Sequence, residues 1–527
     1  MKRSLSSLLV EARQCRPDAV ACSLGDRALS FAQLHDQASR LAQALRTAGA
    51  EPGQPILIWS PKRLEYVVAI HGILYSGGCY VPLDGSCTEA RATAIARQTE
   101  ARIIIGRYGL VKTLCLAEQP PGETGDDDFV ICILDRGAQV PARARLLPWS
   151  ILDEIEASSG PADSSLAYVL FTSGSTGTPK GVVHTHESAL AFVDWSVAEV
   201  GLTDTDIVSQ YSNYSFDLSI FDLFSSLSAG ARMIVVPERM FGMPGSIARL
   251  IGREKVTIWY SVPSALFQYG EAGISRLAGS PLRCIILAGE QVEKAPLRRL
   301  FDLVGPGCRI LNWYGPTETN VCTHHEVVSA DFAAPVPIPI GRACPFAEIE
   351  VVRDSDPATT RAGELRVAGA SVMQGYWRAP ELTTKAFDRS AGAGSFYKTG
   401  DLAELYRGEY VLRGRLDRQL KVRGYRVQPE EIEATVNQVD GVQESAVVRC
   451  RLDGRDGLAA LFSGSSDPEA LTLQIFERCN ANLPFYMVPD LCLPVASMFK
   501  NARGKTDYPR VSQWVESVLR SRDSAEA

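Results

Sequence analysis

Between residues 31 and 313 the chain repeats one theme, in which stretches with apolar residues every three or four positions alternate with short, almost wholly apolar runs. Phe31, Leu34, Ala38, Leu41 and Leu45 form one helical stripe after Ser30, and Gly49 offers a stop. The run "PILIW" follows at 55 to 59, then a helical pattern at 64 to 75, the run "CYVPL", the helix-like "EARATAIARQTEAR" and the run "IIIG". The same rhythm continues through "LAYVLF", "MIVVP", "VTIWY", "CIILA" and "RILNW". Helices that punctuate buried strands in this way predict a large α/β domain.

The texture changes along the chain. Residues 117 to 165 are rich in Pro, Gly and Asp and read as surface connections around one strand, "FVICIL". From about 335 short alternating segments such as "AEIEVV" and "GELRVAG" predict a β-rich subdomain. After "EYVLRGR" comes a compact α+β pattern, with "QLKVRGYRV", a helix from "QPEEIEATVNQV", a strand "ESAVVRC" and a helix near 468 to 482. The expected organisation is therefore a core of residues 1–416 and a small C-terminal domain of residues 417–527. No fixed-period repeat is present.

Several function classes are disfavoured. The N-terminal apolar run is short and is broken by Glu11 and Arg13, so neither a signal peptide nor a membrane span is expected and the reading is cytoplasmic. The 13 cysteines include no C-x-x-C pair, which fits reduced thiols. In "VCTHHE", Cys322, His324 and His325 lie too close together for spaced zinc-ligand pairs. A net charge of -7 speaks against nucleic acid, although "RGRLDRQLKVRGYR" at 413 to 426 is locally basic.

The strongest local signal is "LFTSGSTGTPKGV" at 170 to 182. Thr172, Ser173, Ser175, Thr176 and Thr178 surround Gly174 and Gly177 ahead of Lys180, directly after a strand. Glycines let backbone N–H groups approach an anion, hydroxyls add donors and lysine adds charge, so the segment reads as a polyphosphate cradle. It lacks the Gly-Lys-Ser/Thr of a Walker A loop, and a flexible Ser/Gly linker is the alternative.

With this loop the chain resembles the adenylate-forming ligases, specifically the amino-acid adenylation domains of nonribosomal peptide synthesis. The resemblance runs through "LYSGGCYVPLD", "FDLS", "NWYGPTET", "GELRVAGASVMQGYW", "YKTGDL", "GRLDRQLKVRGYRV", "LPFYMVP" and "ARGKTDY", in the family's order. It implies attack of a carboxylate on the α-phosphate of ATP, release of pyrophosphate, and transfer of the acyl group to a thiol. It also implies that the small domain is mobile. By resemblance, Tyr314 stacks on adenine near Gly289 and Glu290, Thr317 contacts phosphate, Glu318 holds Mg²⁺, and Asp401, with Arg415 beside it, binds the ribose. Lys505 is the expected main catalytic residue, bridging the reacting carboxylate and the α-phosphate. Asp417 matches the hinge and Lys421 supports the thiol-transfer state, while Arg418 and Arg423 are expected to be solvated or to face a carrier protein. The final motif departs from the family, since Arg503 precedes the glycine and Tyr508 follows Asp507 where an arginine is commoner.

In "SNYSFDLSIFDLF" two aspartates lie in a mostly apolar stretch. If 217 to 224 is helical, Asp217, Leu218 and Phe221 share a face and Asp222 points about a quarter-turn away. By resemblance Asp217 is the counter-ion of the substrate's amino group, and Asp222 is expected to be a structural or solvent-facing residue with no role. The remaining pocket positions carried over are Leu218, Phe221, Tyr260, Ile286, Ala288, Trp313, Val321 and Cys322, an uncharged and bulky set that implies a small apolar side chain. The set is similar to that of free-standing prolyl adenylation enzymes, except at Ile286 and Trp313, so L-proline is the expected substrate and another small apolar amino acid the alternative. The recognised motifs fill 29 to 508, so the expected acceptor is a separate holo carrier protein, and the enzyme is expected to be a monomer. Two rivals remain: an acyl-CoA synthetase of the same superfamily, which Asp217 disfavours, and a catalytically silent nucleotide-binding protein.

Overall fold

The computed structural model describes residues 3–107, 109–111, 114, 129–133, 144–157, 160–174, 178–241, 243–267, 275–353, 362–388, 395–452, 455–464, 467–501 and 504–526. The chain forms two compact units. The first comprises Met1–Gly85, Ala96–Phe171 and Gly181–Leu416, and the second comprises Ser86–Ile95, Thr172–Lys180 and Asp417–Ala527. No helix among the described residues is long and apolar enough to cross a membrane.

In the first unit the helix Phe31–Thr47 shows how local rules and packing combine. Ser30 caps it reciprocally, accepting from the Gln33 amide at 3.2 Å while its own amide donates to Gln33 Oε1 at 2.9 Å. Its buried stripe includes Phe31, Leu34, Ala38, Leu41 and Leu45, as the periodicity predicts. That stripe meets the helix Leu64–Ser76 so closely that a Cβ on Gly72 would lie 2.6 Å from Leu41 Cδ2. Glycine is the residue that lets the two helices approach.

Two large sheets carry this unit. One has nine strands, and its central pairs, Val20–Leu24 with Arg232–Val235, then Ile207–Gln210, Ile258–Ser261, Cys284–Leu287 and Arg309–Tyr314, are parallel. Thr323–Glu326 and Arg342–Ala343 extend it antiparallel. The other has eight strands and contains Pro55–Trp59, Cys79–Leu83, Ile103–Gly106, Phe129–Ile133 and Leu166–Thr172. Parallel strands covered on both faces read as unbroken apolar runs, which is why "PILIW", "CYVPL" and "IIIG" coincide with strands buried along their whole length. A five-stranded antiparallel sheet from Ala347–Val352 to Glu409–Arg415 is the β-rich portion expected after 335.

The second unit has its own core. A three-stranded sheet of Val442–Leu452, Arg455–Gly464 and Leu491–Pro494 packs with the helices Pro429–Val436, Pro468–Asn482 and Tyr508–Glu526. A short hairpin, Leu420–Val422 with Tyr425–Val427, lies near its start.

Eleven of the cysteines, from Cys15 to Cys492, are free thiols. No group of His, Cys, Asp and Glu able to hold a metal occurs among the described residues. His325 instead binds Asp331 at 2.8 Å and faces Glu409 at 3.1 Å, so the Cys/His knot is part of the protein's own packing.

Candidate active site

The nine-stranded sheet separates two apolar clusters, and strand alternation decides which residues enter each. Tyr260 pairs with Ile286, and Ile286 with Leu311, in the parallel register. These side chains therefore share a face, joined two residues further along by Ala288 and Trp313. Trp259, Ile285, Leu287 and Ile310 occupy the opposite face. The first set lies at the carboxyl ends of parallel strands, where open α/β sheets bind ligands.

Phe221 completes this face from the segment Leu218–Ser228. That helix is α-helical at both ends but makes one wide π turn over Phe221–Ser225. The rings of Phe221, Tyr260 and Trp313 close a triangle, with centroids 5.3 Å, 5.6 Å and 5.5 Å apart and every pair edge to face. Edge-to-face pairs add about 0.5–1.5 kcal/mol each to the burial term, so the triangle is a rigid wall. Val321 belongs to the same cluster and Leu218 packs against it half-buried. Cys322 does not. It lies with Tyr314, Ile340, Leu365 and Ala403 in another cluster.

Asp217 is half-buried at the start of this helix. Burial first, and then the negative charge of Asp217, push the hydroxyls of Tyr168 and Tyr260 well above the usual tyrosine range. A carboxylate is thus held in the field of the aromatic wall.

A second group of residues surrounds Tyr314 and Glu318. The Tyr314 hydroxyl donates to Asp401 Oδ2 at 2.7 Å, Arg415 Nη1 donates to Oδ1 at 2.5 Å, and Arg415 Nη2 donates to Thr399 O at 3.2 Å. A carboxylate has about four lone-pair sites, so two remain for hydroxyl donors. The turn after Tyr314 is closed by Cys322 N donating to Tyr314 O at 2.8 Å, and a Cβ at Gly315 would lie 1.7 Å from Asn320 O, so only glycine fits. His184 Nε2 donates to Thr317 O at 2.8 Å, and burial pushes this histidine down to about 4, keeping it neutral. Glu318 is fully buried and accepts from the Tyr376 hydroxyl at 2.8 Å. Its further lone pairs suit a hard cation, which takes carboxylate oxygens. Gly289 adopts φ +87°, and Glu290 beside it accepts from Ser264 N at 2.8 Å. Neither His184 nor Tyr376 was singled out from sequence, although both sit within or next to motifs that were.

The second unit holds the other sequence-predicted residues. Thr172, Ser173, Gly174 and Lys180 lie at the ends of the loop, whereas Ser175, Thr176 and Gly177 fall outside the described residues. The loop closes so tightly that a Cβ on Gly174 would meet Thr178 O at 2.0 Å. At its start Ser173 Oγ donates to Arg426 O at 2.8 Å, and in the same unit the buried Glu431 carboxyl faces Arg91 at 3.4 Å. Asp417 is exposed and accepts from Gln419 N at 3.3 Å, and Lys421 is half-buried on Leu420–Val422.

Lys505 is exposed on a turn in which its amide donates to Asn501 Oδ1 at 3.1 Å and Gly504 adopts φ +74°. Arg503 lies outside the described residues. The basic segment is paired as well as partly exposed. Arg418, 28% exposed, binds Glu433 at 2.6 Å and Glu430 at 3.1 Å, and its guanidinium carbon lies 3.4 Å from the Tyr508 ring centre. Arg423 donates to Asp490 and to Asp456 O. The unusual Tyr508 thus serves as the platform for Arg418.

Of the two readings of Asp222, structural or solvent-facing, only the first is compatible with its place. It is fully buried, and neither carboxylate oxygen accepts a hydrogen bond from any described residue. A solvent-facing aspartate is excluded. The reason is that the helix is buried all round from Ser219 to Leu227, so a quarter-turn away from Phe221 still points into the protein. Burial pushes its carboxyl well above the usual range, opposed by the charge of Lys62.

Residues 9–377 match the model of a family described as AMP-binding enzyme. The chain is 34% identical over 510 residues to the L-proline--[L-prolyl-carrier protein] ligase of Streptomyces coelicolor, covering 93% of this chain and 92% of the relative. It is 33% identical to the protein of the same name from Pseudomonas fluorescens, covering 93% and 95%. The solved structure of the adenylation domain AlmE from Vibrio cholerae, in complex with glycyl-adenosine-5'-phosphate, shares the fold with a TM-score of 0.80 at 24% identity, covering 98% of each chain.

Proposed function

Because the chain belongs to the AMP-binding enzyme family, we propose that it is an ATP-dependent ligase that activates a small apolar amino acid, L-proline, as the aminoacyl-adenylate and passes it to the phosphopantetheine thiol of a separate carrier protein. The observation that carries the reading is the pairing of a half-buried carboxylate, Asp217, with the closed triangle of Phe221, Tyr260 and Trp313. An ammonium leaving water needs such a counter-charge, and a wall of three packed rings leaves room for little side chain.

The residues divide the work. Asp217 holds the amino group and so points the substrate carboxylate toward ATP. Leu218, Phe221, Tyr260, Ile286, Ala288, Trp313, Val321 and Cys322 line the pocket and exclude larger side chains. Asp401, fixed by Tyr314 and Arg415, accepts the ribose hydroxyls. Tyr314 and the Gly289–Glu290 backbone flank adenine, while Thr317, Lys180 and the Thr172–Gly177 loop hold the phosphates.

Glu318 would hold Mg²⁺, whose chemistry is to neutralise charge on the phosphates. Lys505 offers its ammonium to the carboxylate and α-phosphate oxygens, where negative charge concentrates as the new P–O bond forms and pyrophosphate leaves. Removal of a single preorganised donor from a site of this kind costs about 3–4 kcal/mol of barrier. With reduced thiols and a need for ATP, the reading sets the enzyme in the cytoplasm.

Thiol loading tests the acceptor. The wild-type enzyme given L-proline and ATP should load a holo carrier protein in preference to CoA, and Lys505→Ala should lose adenylate formation. Preferential loading of CoA would favour the acyl-CoA synthetase reading instead.

A further inference from the structure

The turn 315–320 leaves the strand Arg309–Tyr314 and carries Thr317 and Glu318. Three donors from outside the turn hold it. The carbonyl of Thr317 accepts from His184 Nε2 at 2.8 Å, the carbonyl of Glu318 accepts from Met373 N at 2.8 Å, and Glu318 Oε1 accepts from the Tyr376 hydroxyl at 2.8 Å. A peptide unit is planar, so a bond to each of these carbonyls fixes the planes on both sides of the Glu318 Cα. The two soft dihedrals that aim the Glu318 side chain are fixed with them, and Tyr376 holds its end.

His184 belongs to the strand Lys180–Thr185 and is 0% exposed. Its partners assign both ring nitrogens. A carbonyl only accepts, so Nε2 carries the hydrogen, and the Asn320 amide donates to Nδ1 at 3.3 Å, with Ser188 Oγ 3.1 Å from the same nitrogen. The Tyr168 hydroxyl donates to Asn320 Oδ1 at 3.4 Å, which decides the end of the amide that faces His184. The imidazole also stacks on the Tyr168 ring, with centroids 5.0 Å apart and planes 29° apart. Asn320 holds φ +50°, a left-handed conformation that asparagine tolerates. The ring is thus held in one plane and one tautomer. A buried histidine could satisfy its hydrogen on any acceptor, and this one is aimed at the peptide that joins Thr317 to Glu318.

We propose that His184 is a positioning residue for the phosphate end of the site, its single imidazole hydrogen fixing the 317–318 peptide so that Thr317 and Glu318 present their side-chain oxygens together. The inference rests on the reading of Thr317 as a phosphate contact and of Glu318 as the Mg²⁺ ligand. Without the Nε2 hydrogen the Thr317 carbonyl loses its donor, and the peptide is free to turn toward another. Thr317 and Glu318 lie on its two sides, so their side chains lose their common direction. Asp217 and the triangle of Phe221, Tyr260 and Trp313 lie outside the turn and keep their places.

The test is calorimetric titration of ATP into the whole protein at saturating Mg²⁺ with no amino acid present, so that binding is read without turnover, using wild type, His184→Phe and His184→Gln. Phenylalanine keeps a flat ring on Tyr168 and removes the hydrogen, so Kd for ATP should rise about tenfold. Glutamine returns an N–H near the place of Nε2 and should stay within about threefold of wild type. In ATP–pyrophosphate exchange KM for ATP should follow Kd while KM for L-proline stays within about twofold. A packing role alone would rank the two variants the other way, since phenylalanine is the better fit on Tyr168. An unchanged Kd in His184→Phe, equal rises in both KM values, or a His184→Gln protein no better than His184→Phe would overturn the inference. Should His184→Phe fail to fold, Asn320→Gly keeps the left-handed turn and removes the amide that sets the tautomer, and it should raise Kd for ATP about threefold. An unchanged Kd there would equally overturn the inference. Glu318→Gln separates the two claims. If it raises the Mg²⁺ concentration for half-maximal ATP binding at least about tenfold while His184→Phe binds ATP as wild type does, the role of His184 fails alone. If Glu318→Gln keeps the wild-type Mg²⁺ dependence, the assignment of Glu318 fails and the inference with it.

Discussion

Tyr314 and Asp401 stand 87 positions apart in sequence, yet the phenol of one donates to the carboxylate of the other at 2.7 Å. The bond fixes the carboxylate that is assigned to the ribose. Tyr314→Phe removes the donor and keeps the ring, so KM for ATP should rise about tenfold to hundredfold, the worth of one hydrogen bond to a charged group, with KM for the amino acid unchanged. Steady-state exchange kinetics with ATP varied would measure it, and an unaltered KM for ATP would contradict the assignment.

The aromatic triangle sets an upper size for the substrate. Trp313 is 1% exposed and packs edge to face against both Phe221 and Tyr260. Trp313→Leu should open the site and improve kcat/KM for leucine relative to L-proline by at least about tenfold, the scale on which pocket volume discriminates. The melting temperature should fall at the same time, because a large-to-small change in a packed core costs roughly 2–5 kcal/mol. A lower melting temperature without a change in preference would mean that Trp313 serves the core alone.

Acid should destabilise the first unit through its buried histidines. His71 is 1% exposed, lies edge-on to Phe224 with centroids 5.7 Å apart, and is pushed by burial down to about 4. Its folded value lies below the unfolded one, so its contribution is present above pH of about 6.5 and is lost as pH falls toward about 4. Between pH 7 and 5 this one group should account for about 2 kcal/mol of lost stability. Denaturation of His71→Leu at the two pH values should show a correspondingly smaller difference than wild type, and an identical difference would show that His71 does not report the transition.

In the second unit Arg418 lies over the Tyr508 ring and against Glu433. Tyr508→Arg, which restores the residue commoner in the family, should put a second cation against Arg418 and lower stability by about 1–3 kcal/mol. Tyr508→Phe keeps the platform and should stay close to wild type. Thermal unfolding compares them, and a Tyr508→Arg protein as stable as wild type would remove the platform role.

These cases show which features a sequence exposes. The helix Phe31–Thr47 and the strands Pro55–Trp59 and Cys79–Leu83 were legible because capping and apolar spacing are local properties. The Phe221, Tyr260 and Trp313 set was named through resemblance, but its closure into a triangle depends on register between strands. Asp222 was left between a structural and a solvent-facing place because periodicity gives a direction around a helix and not what packs there, and this helix is buried on every side from Ser219 to Leu227. Lys62 was passed over because its partners, Gln210 and Tyr211, are 148 and 149 positions away. Its place just after a fully buried strand was the available signal. The pairing of Arg418 was not legible because a run of basic residues reveals nothing about the carboxylates folded onto it.

The central claim is that Asp217 and the aromatic wall select a small apolar amino acid for adenylation. Amino-acid-dependent ATP–pyrophosphate exchange, run across a panel of amino acids and one aryl acid with wild type and Asp217→Ala, tests it most directly. The account predicts that L-proline ranks first, that smaller analogues show measurable exchange because a missing methylene is worth only about 1–3 kcal/mol, and that Asp217→Ala abolishes the signal. L-proline ranking below valine, alanine or the aryl acid, or exchange that survives in Asp217→Ala, would contradict it.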